Sequence, residues 1–541
     1  MQDLKNKIQS QRRKEVIQQV VVTAEQMQAI ESRIFNAGFP VAALMEKVAG
    51  RITEKICNLY PINHSSFKVG MLVGPGHNGG DALVVARELF LRGYEVLCYQ
   101  PSKKFKPLTA DHARYAASLG VRFLNGVETF AQCDLIVDGL FGFGLNRDLV
   151  GMIAHTVDSI NAIAHQYEIP VVSIDLPSGI HSDTGAVLGT AIGATHTLCL
   201  GLWKQGLFQD DALLYTGKSE LIDFDIPLAD IETILGPTPL IQRITKKSAL
   251  SFLPIPRPLT THKYKEGHLL CICGSQRYMG AAILTGLAAR ASGVGLLSIA
   301  VPSGLKTAIA TRIPDAITIG CPETASGAIA HLPEDVGFGE GLEKYDAIAC
   351  GPGLSIEALH VIEKLLAQMM SSTIPLLLDA DGLNGMAKLG IKQLKSRPGL
   401  TVLTPHLGEF KRLFPSIAPM TDRIKMAQSA AETSGAMVVL KGGRVAIAHP
   451  DGRAWINPES TPALARGGSG DVLTGLMGGL MAQATVRGLD ITSMAATAVW
   501  WHAQAGRVAA QERTELGVDA ETLAQYLIPM LQSTDYINDA D

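Results

Sequence analysis

Short apolar runs of β-forming residues alternate with helical patterns along most of this 541-residue chain. Such alternation is typical of βαβ units, in which helices join parallel strands and cover the sheet. The sequence therefore predicts an α/β fold. Strands are predicted at 69–73, 95–99, 135–137, 171–174, 197–200, 269–273, 296–301, 347–350, 375–378, 402–403 and 437–441, and a hairpin at 445–448 and 454–456.

The predicted helices have recognisable starts and apolar faces. Thr23 and Gln26 have the spacing of a capping box, which opens a helix ending near residue 37. The other predicted helices cover 41–57, 80–91, 111–119, 281–292, 356–370 and 422–434. The pair Trp500-Trp501 is expected to pack inside a further helix.

The alternation fades between Pro227 and Pro258, where prolines accumulate. At about 150 residues per domain, the chain has room for two to four domains, and a single break favours two large ones. We predict an N-terminal domain over 1–228, a linker over 229–245 and a C-terminal domain over 246–541. The two halves show no fixed-period repeat.

Charge and composition exclude several classes of protein. The net charge is −4 and there is no long basic block, which argues against nucleic-acid binding. The apolar run after the basic N-terminal segment is too short for a signal peptide, and no run reaches a membrane span. Eight scattered cysteines predict reduced thiols in a reducing compartment, so we expect a cytoplasmic protein.

The segment Arg466-Gly-Gly-Ser-Gly-Asp471 precedes an apolar helical run. Glycines leave main-chain amides uncovered, and a helix N-terminus carries about half a positive charge, so this turn predicts a phosphate site. An acid beside a phosphate gains no charge pairing, which favours Asp471 as the proton acceptor for a hydroxyl. The alternative is an ordinary glycine-rich helix start.

Three strand ends in the first half carry oxygen-bearing side chains. They are Val73-Gly-Pro-Gly-His-Asn-Gly-Gly-Asp81, Val137-Asp-Gly-Leu-Phe-Gly-Phe-Gly144 and Ile174-Asp-Leu-Pro-Ser-Gly179. If these loops converge, Asn78, Asp138 and Ser178 offer an all-oxygen site for a hard cation, and a single carboxylate favours potassium. Asp175 then remains for proton transfer. The alternative is that Asp138 and Asp175 cap the following turns.

Together these three motifs resemble the NAD(P)H-hydrate epimerase domain over about residues 20–225. The resemblance implies a Rossmann-like three-layer domain, with potassium at Asn78, Asp138 and Ser178 and with Asp175 as the catalytic acid/base. It also implies substrate contacts by His77, Asn78, Gly79, Gly80, Asp81, Gly142, Phe143, Gly144, Leu145, Asn146, Arg147, Asp148 and Asp175. His77 and Ala82 depart from the usual Asn and Gly of this family.

The second half resembles the ADP/ATP-dependent NAD(P)H-hydrate dehydratases, which have a ribokinase-like α/β fold. The segments that carry the resemblance start at Gly274, Gly351, Asp379, Thr404, Lys441 and Gly467. The resemblance implies hydrate contacts by Ala281, Gly353, His406 and the catalytic Asp471, and nucleotide contacts by Lys441, Gly442, Gly443, Arg444, Val445 and Gly470. Ser469 replaces the more usual Thr. Asp379 and Asp381 are expected to cap the helix containing Asn384, with indirect magnesium binding as the alternative.

The sequence therefore predicts a bifunctional metabolite-repair enzyme of the NAD(P)H-hydrate repair family. One domain would epimerise the hydrates NADHX and NADPHX, and the other would dehydrate the S form using ADP, giving AMP and phosphate. Potassium, ADP or ATP, and nucleotide-bound magnesium are the expected cofactors, and a homo-oligomer is expected. The alternatives are a ribokinase-like kinase of a vitamin precursor or sugar with a nucleotide-sensing N-terminal domain, and a non-enzymatic regulatory scaffold.

Overall fold

A computed structural model describes residues 2–62, 66–333 and 340–532 of the chain. It divides the chain into two compact units, Met1–Gln242 and Arg243–Asp541. The predicted linker contains most of a helix and a short strand, Leu228–Leu235 and Ile241–Arg243. Among the described residues, no helix combines the length and apolar character needed to cross a membrane.

The first unit contains helices α1 to α8 and strands β1 to β9. The helices are Gln2–Gln19, Ala24–Asn36, Val41–Leu59, His77–Leu91, Pro107–Ser118, Gly151–Tyr167, Leu213–Thr216 and Leu228–Leu235. The strands are Val21–Val22, Lys68–Val73, Glu95–Tyr99, Arg122–Leu124, Leu135–Gly139, Val171–Ile174, His196–Leu200, Trp203–Lys204 and Lys218–Ile222.

Seven of these strands form one sheet in the order β4-β3-β2-β5-β6-β7-β9, and every neighbouring pair is parallel. The order reverses direction between β2 and β5, which is where open α/β sheets bind ligands. Along β5, Leu135 and Val137 enter one hydrophobic cluster and Ile136 enters another. Both faces are therefore covered, as the Rossmann-like three-layer prediction requires.

The second unit continues with helices α9 to α18 and strands β10 to β19, of which β10 lies at the unit boundary. The helices are Lys246–Phe252, Met279–Ala291, Lys306–Arg312, Leu359–Met369, Asp381–Leu389, Leu407–Leu413, Arg423–Ser434, Ser469–Arg487, Ile491–Arg513 and Ala520–Gln532. The strands are Ile241–Arg243, His268–Ile272, Leu296–Pro302, Ile317–Cys321, Ala347–Cys350, Leu376–Leu378, Thr401–Leu403, Met437–Leu440, Val445–Ala448 and Ala454–Asn457.

The ten-stranded sheet has the order β10-β19-β18-β17-β16-β15-β14-β11-β12-β13. The strands from β11 to β17 pair in parallel, and β17, β18 and β19 pair antiparallel. The predicted hairpin at 445–457 is confirmed. The sheet packs against α10, α16 and α17, and Trp500 and Trp501 are buried in that core as predicted.

Local signals explain most element boundaries, and the misses have physical causes. The Thr23–Gln26 capping box is present, and all eight cysteines are thiols, seven of them buried. The helix predicted from residue 80 begins at His77, because glycines lower helix propensity without forbidding a helical first turn. Strands β4, β9 and β13 were not predicted, since they are short or only partly buried and carry weak apolar patterns.

The Arg397 side chain ties together the segments around β15 and β16. Its guanidinium donates to the main-chain oxygens of Met369, Ile374, Gly399 and Leu400, and to the Thr401 hydroxyl. Burial lowers the pKa of Arg397 to about 10, so the group stays charged at neutral pH.

We expect Arg397→Met to destabilise the second unit by about 3 kcal/mol, because buried carbonyls lose their donors. Calorimetric unfolding would measure the loss. Lys392→Met changes an exposed lysine of the same segment and serves as the matched control. Equal melting temperatures for the two variants would contradict this role of Arg397.

Candidate active sites

The first candidate site lies at the carboxyl ends of β2, β5 and β6. Close main-chain packing brings the loops together: a Cβ on Gly74 would overlap the carbonyl oxygen of Leu140, and one on Gly79 would overlap that of Gly74. Gly80 packs against the end of the Met45 side chain. The glycines of the first motif therefore allow the loop after β2 to lie against the loop after β5.

Asp138 and Ser178 are brought together as predicted. The Asp138 carboxylate is fully buried and accepts hydrogen bonds from the Ser178 hydroxyl at 2.6 Å, the Ser178 amide at 2.8 Å, the Ser173 hydroxyl at 2.8 Å and the Leu140 amide at 3.1 Å. Burial raises the pKa of Asp138, and these bonds oppose the rise. The bond from the Leu140 amide also makes Asp138 the cap of its own turn.

Asn78 lies beside Asp175, across Gly142. A Cβ on Gly142 would lie 2.8 Å from Oδ2 of Asp175 and 3.2 Å from Oδ1 of Asn78. The Nδ2 atom of Asn78 is buried and has no hydrogen-bond partner among the described residues. The loops that carry Asn78, Gly142 and Asp175 thus meet at one place, as predicted.

Asp175 is held in an unusual conformation. Its φ of 71° is left-handed, which is uncommon for a residue with a side chain. Its carboxylate accepts from the Phe143 amide at 2.9 Å and the Leu200 amide at 3.3 Å. It also forms an ion pair at 2.6 Å with Lys204. Asp175 therefore joins three segments and does not simply cap the turn that follows it.

Lys204 was not predicted as a site residue. Its side chain is fully buried, donates to the Leu200 carbonyl, and lies 5.4 Å from the ring centroid of Phe143. Although burial opposes its charge, neighbouring Asp175 holds the pKa of Lys204 above its ordinary value. A lone lysine inside the apolar stretch 198–208 is the sequence signal that could have identified it.

The charges of this ion pair affect the pKa values of nearby carboxyl groups. Burial raises the pKa of Glu31 to about 7, with Lys204 lowering it and Asp175 raising it. Burial, Glu31 and Asp175 raise the pKa of Asp81 well above its ordinary value. Glu31 lies on α2 and carries no motif, so sequence reasoning missed it.

The remaining predicted contacts of this site differ in exposure. Leu145 is buried in the hydrophobic core. The exposed residues among the predicted contacts are His77, Gly144, Asn146, Arg147 and Asp148. The His77 ring lies 3.3 Å from Nζ of Lys106. The Phe143 carbonyl accepts from the Ser182 hydroxyl at 2.8 Å, which fixes the loop beside Asp175.

The second candidate site lies at the start of α16. This helix begins at Ser469, its N-cap is Gly468 with a φ of 92°, and no side chain caps it. Glycine is required there because the left-handed region is costly for other residues. The structure confirms the predicted helix start, with Asp471 in the first turn and uncapped amides beside it.

Asp379 does not cap its helix, contrary to the prediction. The α13 helix has Ala380 at its N-cap, without a side-chain hydrogen bond. Asp379 instead accepts from Nζ of Lys441 at 2.7 Å and from the Thr474 hydroxyl at 2.8 Å. These long-range partners outcompete the local cap because they neutralise a buried charge.

Asp381 bonds locally. It accepts from the Asn384 amide group at 3.2 Å and from the Ser355 main-chain amide at 2.9 Å. The first bond lies within its own helix, as expected, and the second fastens the loop that follows β14.

Gly470 adjoins the Asp379–Lys441 pair. A Cβ on Gly470 would lie 3.4 Å from Nζ of Lys441 and 3.5 Å from Oδ2 of Asp379. Burial opposes the charge of Lys441, but Asp379 and then Glu409 hold its pKa above the ordinary value. The glycine turn therefore lies directly beside a half-buried positive charge.

Asp471 titrates near neutral pH. Burial and the Asp379 charge raise its pKa to about 7, whereas Lys441 lowers it and Asp381 raises it. A carboxyl group with this pKa exchanges protons readily at physiological pH, which is the property of a general base.

His406 caps the short helix α14. Its ring accepts from the Gly408 amide at 2.9 Å, and Glu409 completes the capping box through the His406 amide at 2.9 Å. Its main chain bridges to Lys441, while 57% of its side chain stays exposed. His406 is thus tied to the site by its backbone and is free to contact a ligand with its ring.

The other predicted contacts lie on a helix, two loops and a strand end of the second unit. A Cβ on Gly353 would lie 2.8 Å from Cβ of Ala281, so these two residues meet. Gly442 and Gly443 are exposed, Arg444 is half-buried, and Val445 opens β18. The segment 441–445 therefore has its exposed glycines between the half-buried Lys441 and the start of β18.

Two protein-family models match the chain. Residues 41–206 match the model described as YjeF-related protein N-terminus, and residues 269–529 match the one described as NAD(P)H-hydrate dehydratase. The bifunctional NAD(P)H-hydrate repair enzyme Nnr of Synechocystis sp. is 51% identical over 510 residues, or 94% of each chain. This chain belongs to the bifunctional NAD(P)H-hydrate repair enzyme family.

A second repair enzyme Nnr, from Thermosynechococcus vestitus, is 52% identical over 515 residues, covering 95% of this chain and 97% of the relative. A solved ADP/ATP-dependent NAD(P)H-hydrate dehydratase from Bacillus subtilis, co-crystallised with ATP/Mg2+, is 29% identical, covers 53% of this chain and 97% of its own, and has a TM-score of 0.47. The family confirms the predicted bifunctional repair enzyme, and the kinase and scaffold alternatives are not favoured.

We expect Asp379→Asn to lower the pKa of Asp471 below about 7. The change removes the repulsion of a neighbouring carboxylate and leaves the attraction of Lys441. Carbon NMR of the labelled Asp471 carboxyl would measure the titration. Asp490→Asn, which changes the N-cap of α17, is the control and should leave the titration unchanged; an unshifted Asp471 in Asp379→Asn would refute the coupling.

Proposed function

We propose that the first unit epimerises the R and S hydrates of NADH and NADPH, and that the second dehydrates the S form with ADP, releasing AMP and phosphate. The observation that carries the proposal is Asp471, a carboxyl with a pKa of about 7 in the first turn of a glycine-capped helix beside Lys441. Incubating the protein with hydrated NADH and ADP, and following the absorbance of the reduced nicotinamide, tests it.

Asp471 is the general base of the proposed dehydration. It takes the proton from the hydrate hydroxyl while the terminal phosphoryl group of ADP moves to that oxygen, which leaves AMP. Phosphate is a far better leaving group than hydroxide, so the ring nitrogen then expels it and the carbon–oxygen bond breaks. The cationic ring that remains then loses a proton from the carbon next to the broken bond, so the products are NADH, AMP and phosphate together with the released proton.

The turn at 468–470 and Lys441 would hold the phosphoryl group. The Gly470 amide and the positive end of the helix macrodipole would stabilise the negative charge of the group as it transfers. Lys441 adds a full charge beside Gly470, and Asp379 keeps that ammonium in place. The rest of the predicted nucleotide segment, 442–445, would contact the nucleotide from the loop before β18.

Magnesium would arrive with the nucleotide. Among the described residues, no cluster of three or more His, Cys, Asp or Glu side chains is arranged to hold a metal ion. Both oxygens of Asp379 already accept hydrogen bonds. A magnesium ion on the phosphates, with water as most of its remaining ligands, fits this arrangement.

The first unit divides the acid and base roles of the proposed epimerisation. The Asp175 carboxyl group, paired with Lys204 at 2.6 Å, would stabilise the cationic nicotinamide ring that forms when water leaves. The departing hydroxyl takes its proton from Asp81, whose pKa burial raises well above its ordinary value, or from Glu31, whose pKa burial raises to about 7. Water returning to the other face restores that proton and gives the second epimer.

Potassium fits the oxygen atoms of Asn78, Asp138 and Ser178. These ligands are hard and carry one carboxylate. The Asp138 oxygens would share the ion with the four hydrogen bonds they accept. A bound potassium ion would supply positive charge for the phosphates of the substrate.

The proposed partners are small molecules, namely the hydrates and ADP, and nucleic acids and membranes are not expected to bind. The net charge of −4 and the absence of a basic block support this view. We infer a homo-oligomer in the cytoplasm, in keeping with the buried thiols.

The two aspartates should separate the activities. We expect Asp471→Asn to reduce dehydration about 10²–10⁴-fold, because a general base is lost, while ADP binding and epimerisation remain. Asp175→Asn should abolish epimerisation and spare dehydration of the pure S hydrate. Nicotinamide absorbance and chromatography of the two epimers measure the activities, and each variant controls the other. Loss of both activities in either variant, at an unchanged melting temperature, would contradict the assignment.

The dehydratase kcat/KM should rise with pH to a plateau above about 7, the pKa of Asp471. The base works only when ionised, so the rate should fall about ten-fold per pH unit below that value. The pH–rate profile with ADP at saturation gives the measurement. A profile that is flat from pH 5 to 8 would rule out Asp471 as the base.

A further inference from the structure

We propose that His502 is a positioning residue for phosphoryl transfer, because it holds the peptide group whose amide faces the phosphate. The inference rests on the proposed dehydratase function of the second unit. His502 lies on α17, is only 8% exposed, and carries no motif that assigns it a role.

The His502 ring contacts the first residue of the phosphate-binding helix. Its Nε2 atom lies 2.9 Å from the carbonyl oxygen of Ser469 and 3.3 Å from the Ser469 hydroxyl. A carbonyl oxygen only accepts, so Nε2 must carry the hydrogen. The closer contact defines both the tautomer of the ring and the direction of the bond.

The geometry of a peptide group transmits this contact to the site. The Ser469 carbonyl and the Gly470 N–H belong to one planar, trans peptide unit, so they point in opposite directions. Fixing the carbonyl toward His502 therefore fixes the Gly470 N–H toward the opposite side. Gly470 adjoins Lys441 and Asp379 at the charged site.

The surroundings keep the His502 ring neutral. Burial lowers the pKa of His502 to about 4, the bond to Ser469 opposes the change, and the Lys441 charge lowers the pKa further. A neutral ring adds no charge to the phosphate site. It acts on the turn through one directional hydrogen bond.

The test compares three variants of the full chain with hydrated NADH and ADP. We expect His502→Met to lower the dehydratase kcat by about ten-fold, less than the ~10²-fold typical of deleting a donor outright, because the amide remains but loses its orientation. His502→Gln keeps an N–H at a similar reach and should recover most of the rate. Rates are expressed per ADP-binding chain, which removes unfolded protein from the comparison.

Trp501→Phe is the matched control. Trp501 precedes His502 and is buried, and its ring N–H donates at 2.6 Å to the Leu527 carbonyl, so this variant also loses one buried hydrogen bond on α17. It should melt at a lower temperature but keep kcat. An unchanged kcat in His502→Met, or an equal loss of kcat in Trp501→Phe, would overturn the positioning role. If the wild-type chain showed no dehydration, the proposed function itself would be overturned.

Nitrogen NMR of the wild-type protein gives a second test, which does not depend on whether a variant folds. We expect the His502 ring to show a protonated Nε2 and an unprotonated Nδ1 at pH 7. The opposite tautomer, or a doubly protonated ring, would exclude the bond to Ser469 and overturn the proposal.

Discussion

A buried aspartate paired with a lysine organises the candidate site in each unit. Asp175 and Lys204 are 2.6 Å apart in the first unit, and Asp379 and Lys441 are 2.7 Å apart in the second. Each aspartate follows a parallel strand, and its lysine comes from a different segment. Removing an unpaired charge from water costs several kcal/mol. Separating either pair is therefore unfavourable, and this cost keeps the segments that carry the paired residues together.

The pairs also determine which neighbouring carboxyl groups can hold a proton. Burial and then the Asp379 charge raise the pKa of Asp471 to about 7, and burial with a contribution from Asp175 raises the pKa values of Glu31 and Asp81. In each unit, a carboxylate paired with a lysine thus lies beside another carboxyl group whose pKa is raised. Carboxyl groups whose environments separate their pKa values in this way divide acid and base roles in many enzymes.

Local sequence signals predicted the features that are set by main-chain conformation, namely strands, tight loops and helix starts. Alternating patterns predicted most strands, and glycines predicted the loop after β2 and the start of α16, because few other residues tolerate those conformations. Side-chain partners distant in sequence could not be predicted in this way. Lys441 lies 62 residues from Asp379 and His502 lies 33 from Ser469, and only the folded chain brings them together.

The central claim is that the turn at the start of α16 receives the phosphoryl group while Asp471 accepts the proton. A crystal structure of the full chain with ADP tests it most directly. We expect the terminal phosphate within hydrogen-bonding distance of the Gly470 amide and of Lys441, with the Asp471 carboxylate facing the space left for the hydrate. An ADP molecule whose phosphates lie away from this turn would contradict the account.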